Sequence, residues 1–161
     1  MNKWSFSRPE RFLARFMLYS IRWNWGITMS DEKAHIMVAE DDPRTRLCLC
    51  NILREEGYRV TASENGYLAL QQINALHLYE GGVDFLILDI HMPGLTGLEV
   101  VERLAARKSK IPMAVITGDT DPHLAEQLKA AGCDHIFIKP FDLHLLLDTL
   151  KVACPDTRSA G

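Results

Sequence analysis

Five side chains stand at the ends of short apolar runs, and their types suit phosphoryl chemistry. Asp89 closes Phe85-Leu86-Ile87-Leu88 and is followed by Ile90-His91-Met92-Pro93-Gly94. Glu40 and Asp41 close Ile36-Met37-Val38-Ala39, Thr117 closes Ala114-Val115-Ile116, and Lys139 closes Ile136-Phe137-Ile138. Carboxylates brought together repel one another, and a hard divalent cation relieves that repulsion. An oxygen-rich, partly hydrated site suits Mg2+ better than zinc, which favours Cys and His. The expected ligands are Asp41 and Asp89 directly, Glu40 through water, and the backbone carbonyl of His91. Lys139 and the cation would offset the charge of an incoming phosphoryl group, since catalysis of its transfer is mostly positioning and electrostatics. Asp89 is then the phosphoacceptor. Thr117 would donate its hydroxyl to a phosphoryl oxygen, with Gly118 leaving room beside it. Pro140 follows Lys139, and a cis peptide there would aim the lysine.

These residues meet only if the strands that carry them are neighbours. From Ala34 onward, apolar runs alternate with helical periodicity, the pattern of a parallel sheet wrapped by helices. Strands are expected near 35–39, 58–62, 85–88, 113–116 and 135–138. Helices are expected over about 43–56, with Leu47, Cys50, Leu53 or their neighbours inward, then 67–78, 96–107, 122–132 and 142–152. Thr96-Gly97-Leu98-Glu99 reads as a capping box, Asp121-Pro122 as an N-cap with a first-turn proline, and Gly57 as a helix stop. Right-handed crossovers favour an α/β fold, a flavodoxin-like (βα)5 doubly wound sheet of five parallel strands in the order 2-1-3-4-5. That order makes strands one and three neighbours and brings Glu40 and Asp41 beside Asp89.

The chain has 161 residues and a formal net charge of -3, distributed unevenly. Residues 1–29 carry Lys3, Arg8, Arg11, Arg15 and Arg22 against Glu10 alone, so the body is acidic, and no basic stripe invites nucleic acid. Cys48, Cys50, Cys133 and Cys154 lack metal-ligand or redox spacing and read as reduced thiols of a cytoplasmic protein. No apolar stretch has the length of an integral membrane span.

The conjunction resembles the receiver domain of response regulators in two-component and phosphorelay signalling, over about 34–152. The residues that carry the likeness are Glu40-Asp41, Asp89 through Gly94 with Gly97, Thr117-Gly118 and Lys139-Pro140-Phe141, with Asp84 and Arg46 also where that family has such residues. The resemblance implies that Asp89 takes a phosphoryl group from the phosphohistidine of a histidine kinase or a histidine phosphotransfer protein. It also implies that Mg2+ is required, that the acyl phosphate later hydrolyses, and that an unknown downstream protein reads the state. The protein would catalyse its own phosphorylation and dephosphorylation without being an enzyme with an external product. One position departs from the pattern. Many receivers place Tyr or Phe where this chain has Ile136, and strand alternation sends the neighbouring Phe137 to the opposite face. His91 and Asp119, two residues after Asp89 and Thr117, are variable positions that would tune phosphoryl lifetime or simply be solvated.

Two rivals use overlapping residues. A haloacid-dehalogenase-like phosphatase needs a second Asp two residues after its nucleophile, where this chain has His91, and space for a substrate cap. A non-phosphorylated docking module would not need the full acid, Thr and Lys set. Residues 1–33 form an extension holding Trp4, Trp23 and Trp25. It reads as an amphipathic docking helix, a disordered tail, or a stretch upstream of a true start at Met29. With 153–161 as a short tail, the expectation is a stand-alone receiver acting by protein contact or by relaying phosphate.

Overall fold

The computed structural model describes residues 33–79, 81–133 and 135–155. The strands are β1 (Lys33–Ala39), β2 (Tyr58–Ser63), β3 (Phe85–Asp89), β4 (Met113–Thr117) and β5 (His135–Ile138). The helices are α1 (Pro43–Glu55), α2 (Gly66–Tyr79), α3 (Gly97–Ala106), α4 (Pro122–Ala130) and α5 (Leu143–Ala153). All strand pairs are parallel and run in the order β2-β1-β3-β4-β5, as expected. The extension expected over 1–33 lies outside the described residues except for Lys33, as do the last six residues of the tail.

Every residue of β3 and of β4 is buried, which is what a central parallel strand covered on both faces requires. Alternate strand residues feed two cores. Met37, Leu86, Leu88 and Val115 pack with α2, α3 and α4 through Ile73, Val100, Leu104 and Leu128. Ile36, Val38, Ile87 and Ile116 pack with α1 and α5 through Leu49, Leu53, Leu146 and Leu150. Helices therefore cover both faces of the sheet.

The inward face of α1 is a correction to the sequence reading: it is Leu49, Cys50 and Leu53, whereas Leu47 is 60% exposed. At 3.6 residues per turn, Leu47 lies roughly 200° around the helix from Leu49, so the two cannot share one face. The caps behave as their residue types dictate. The Thr96 side chain accepts from Glu99 N, and the Glu99 carboxylate accepts from Thr96 N, which completes the capping box of α3. Asp42, Asp121 and Asp142 cap α1, α4 and α5.

Candidate phosphoacceptor site

Strand register builds the site. Ala39 pairs with Leu88, Asp89 with Ile116, and Thr117 with Ile138. The ladder continues past the strand ends, where Lys139 N donates to Thr117 O (2.7 Å) and Ile90 N donates to Ile116 O (3.2 Å). Asp89 and Thr117 at the last paired positions, and Glu40 and Lys139 one step beyond them, thus share the carboxyl edge of the sheet, where ligands gather in open α/β folds.

Lys139 Nζ bridges the two buried acids, donating to Glu40 Oε2 at 3.0 Å and to Asp89 Oδ2 at 2.8 Å. The carboxylates are only 2% and 5% exposed, so the ammonium is essential to their burial. The second oxygen of Asp89, Oδ1, accepts from His91 N at 3.1 Å. Asp41 completes the acid cluster: one carboxylate oxygen from each of Glu40, Asp41 and Asp89 lies within 4.8 Å of the others. That donor set, all hard oxygens with one exposed member, fits Mg2+.

The two buried acids titrate apart. Burial, reinforced by Asp89, pushes the Glu40 carboxyl up to about 7 against the pull of Lys139. Burial also works against ionisation of Asp89, but Lys139, the His91 N–H and a proton held by Glu40 outweigh it and keep Asp89 below the usual carboxylate range. Lys139 loses hydration by burial, yet Asp89 and Glu40 raise its pKa overall. Without a cation, the site is an ionised Asp89 and a charged lysine, with Glu40 storing a proton near neutrality.

Thr117 is buried, and its Oγ1 accepts from Asp119 N at 3.0 Å. Two more bonds of the same i to i+2 kind follow: Asp121 N donates to Asp119 Oδ1 (2.9 Å), and His123 N donates to Asp121 Oδ1 (2.9 Å). This ladder ties the Thr117 hydroxyl to the first turn of α4. It also gives one oxygen of Asp119 a bond within its own loop, while the His91 side chain is exposed. Sequence reading missed the ladder, although Asp-x-Asp-Pro carries its signal in the habit of Asp to bond a backbone N–H two residues on.

Four further residues flank the site. A Cβ added at Gly118 would meet nothing within 4 Å, so the space beside Thr117 does not depend on a missing side chain there. Ile136 packs on the α2–α4 side of the sheet, where a shallow apolar cleft under the ladder is lined by Leu124, Leu128, Ile136 and Ile138. Phe137 lies on the other side, edge-on to Phe141 with ring centroids 5.8 Å apart. The Lys139–Pro140 peptide is cis.

Known proteins place this fold and edge in a family. The model of the response regulator receiver domain matches residues 36–151, and the chain belongs to that family. Among curated relatives, the uncharacterized transcriptional regulatory protein YkoG of Bacillus subtilis is 35% identical over 123 residues, covering 76% of this chain and 51% of that protein. The transcriptional regulatory protein ZraR of Klebsiella oxytoca is 33% identical over 131 residues, covering 81% of this chain and 28% of that protein. The chain thus spans about half or less of these relatives' length. Among solved structures, the response regulator TrrA of Thermotoga maritima, in complex with Mg(2+)-BeF, matches with a TM-score of 0.64 and 32% identity over 74% of this chain and 98% of that one. The chemotaxis regulator CheY4 of Vibrio cholerae matches with a TM-score of 0.67 and 27% identity over 75% and 98%. The domain is a phosphoacceptor signalling module of two-component systems.

Proposed function

We propose that the chain carries a response-regulator receiver in which Asp89 accepts a phosphoryl group from a phosphohistidine of a histidine kinase or histidine phosphotransfer protein. The observation that carries this reading is Lys139 bridging Glu40 and Asp89 beside Asp41 at the carboxyl edge of the sheet. An Asp89 carboxylate oxygen attacks phosphorus, the P–N bond of the donor breaks as the P–O bond forms, and the imidazole leaves with its electron pair. Lys139 Nζ and the His91 N–H, which now solvate the Asp89 carboxylate, are the donors nearest the incoming phosphoryl oxygens. Thr117 turns its hydroxyl toward the same group. Asp41 and Asp89 directly, Glu40 through water and the His91 carbonyl would hold Mg2+, which would supply the positive charge that lets two anions approach. Hydrolysis of the acyl phosphate resets the domain, with His91 and Asp119 setting its rate.

The functional unit in this reading is 34–152, with 1–33 as an extension and 153–161 as a tail. It signals through protein contact or onward relay and releases no product of its own. Four free thiols support a cytoplasmic setting. Among the described residues no helix is long and apolar enough to cross a membrane.

The test uses the full chain, a small acyl-phosphate donor and Mg2+, followed by intact mass and hydroxylamine treatment. Wild type should gain one hydroxylamine-labile phosphoryl group, and Asp89→Asn should gain none. A label that persists in Asp89→Asn, or that never forms on wild type with donor and cation present, would overturn the assignment.

A further inference from the structure

Helix α1 starts at Pro43, separated from the acid pair Glu40-Asp41 by Asp42 alone, and its fourth residue is Arg46. Helical Cα–Cβ bonds tilt toward the N-terminus, so a long side chain in the first turn reaches back past the cap. Arg46 does this. Its Nη1 donates to two successive main-chain carbonyls, Glu40 O at 2.6 Å and Asp41 O at 2.9 Å. The rest of the turn closes around the same residues: Arg46 N donates to Asp42 O (3.0 Å), Thr45 N to Asp42 Oδ1 (2.7 Å), and Asp42 N to Glu40 Oε1 (3.2 Å).

The carboxylate of Asp41 has no comparable restraint. It is exposed, and no hydrogen bond within the described network holds it, yet it belongs to the cluster with Glu40 and Asp89. Its placement therefore depends on the direction of its backbone. Arg46 grips the peptide carbonyls on both sides of the Asp41 nitrogen and α-carbon, which are the atoms that set this direction.

We propose that Arg46 is a positioning residue for the cation site, aiming the carboxylates of Glu40 and Asp41 by holding their main-chain carbonyls. The role rests on the reading above that Glu40, Asp41 and Asp89 hold Mg2+. It makes a prediction opposite in sign to simple electrostatics. A guanidinium beside a divalent cation repels it, so loss of the charge alone would tighten binding. Loss of the grip weakens it, and removing residues that orient metal ligands typically costs about 10- to 100-fold in affinity.

The experiment measures Mg2+ binding calorimetrically on the full chain for wild type, Arg46→Met and Arg46→Lys, together with amide exchange of the metal-free proteins. Arg46→Met should bind Mg2+ about tenfold or more weakly, with faster exchange at Asp41 and Asp42 and unaltered protection in β3. Arg46→Lys, which keeps a donor on a long stem, should recover part of the affinity. Binding by Arg46→Met that equals or exceeds wild type overturns the positioning role and leaves the cation site standing. If Arg46→Met fails to fold, Arg46→Lys decides: weaker binding supports the role and unchanged binding overturns it. A wild-type protein that takes up no Mg2+ overturns the site reading and this role with it.

Discussion

Two acids that share one lysine have been given different work by their surroundings. Asp89 is kept ionised by Lys139 and the His91 N–H, while Glu40, the more deeply buried of the two, retains a proton up to about pH 7. The sign of the linkage follows. Between the ordinary glutamate value of 4.5 and about 7, the folded state binds more protons at Glu40 than the unfolded chain does. Glu40 therefore makes the cation-free protein less stable as pH rises through that window. Asp89 contributes stability that is lost only as pH falls through its own lowered pKa, below the window. If the acid cluster holds Mg2+ as proposed, binding should displace the Glu40 proton, so affinity should fall as pH drops below about 7 and should level off above it. Thermal denaturation from about pH 5 to 8, with and without Mg2+, checks both trends. Glu40→Gln should flatten them, and a Mg2+ affinity insensitive to pH near neutrality would contradict the assignment.

At the level of elements, the edge depends on how closely α3 approaches the end of β3. Gly97 N donates to Ile90 O at 3.0 Å, and a Cβ added at Gly97 would collide with the Asp89 carbonyl oxygen and with Ile90 Cα. Those neighbours are backbone, so they cannot swing aside as a side-chain tip would. Gly97→Ala should destabilise the fold by about 2 kcal/mol, as overpacking does. It should also slow phosphorylation, because the atoms that must move belong to Asp89, the proposed phosphoacceptor. Chemical denaturation and the rate of labelling read the two effects separately, and a variant with wild-type values of both would remove Gly97 from the account. The capping box of α3 was legible from Thr96 and Glu99 because capping is local chemistry. The inward face of α1 was not, since Leu47, Leu49, Cys50 and Leu53 offer more apolar positions than one helix face can bury.

Across the whole molecule, the carboxyl edge of the sheet and helix α4 are joined through the β4–α4 connection. Thr117, Asp119, Asp121 and His123 form a continuous run of hydrogen bonds into α4, which buries a single residue fully, Leu128. Ile136 stands where many receivers use an aromatic side chain, and it leaves an apolar cleft under that run. If Thr117 turns toward a phosphoryl group as proposed, its bond from Asp119 N should be the first to be disturbed. Amide exchange should therefore change mainly within 117–131 on addition of a beryllofluoride acyl-phosphate mimic with Mg2+. Unchanged exchange in that stretch would refute this route for the signal.

Much of this could be read from the chain without coordinates, because it is encoded locally. Apolar runs ending in Asp89, Glu40, Thr117 and Lys139, helix caps at Thr96 and Asp121, and the alternating βα pattern each declare themselves within a few residues. Topology rules then bring segments fifty residues apart to one edge. Tertiary structure alone decided how charge is shared there: which acid keeps its proton, and that Lys139 serves both. It also decided that Arg46 binds carbonyls rather than carboxylates and that Gly97 lies against Asp89. Those outcomes depend on burial and ångström-scale distances between distant segments, and residue order contains neither until the chain has packed.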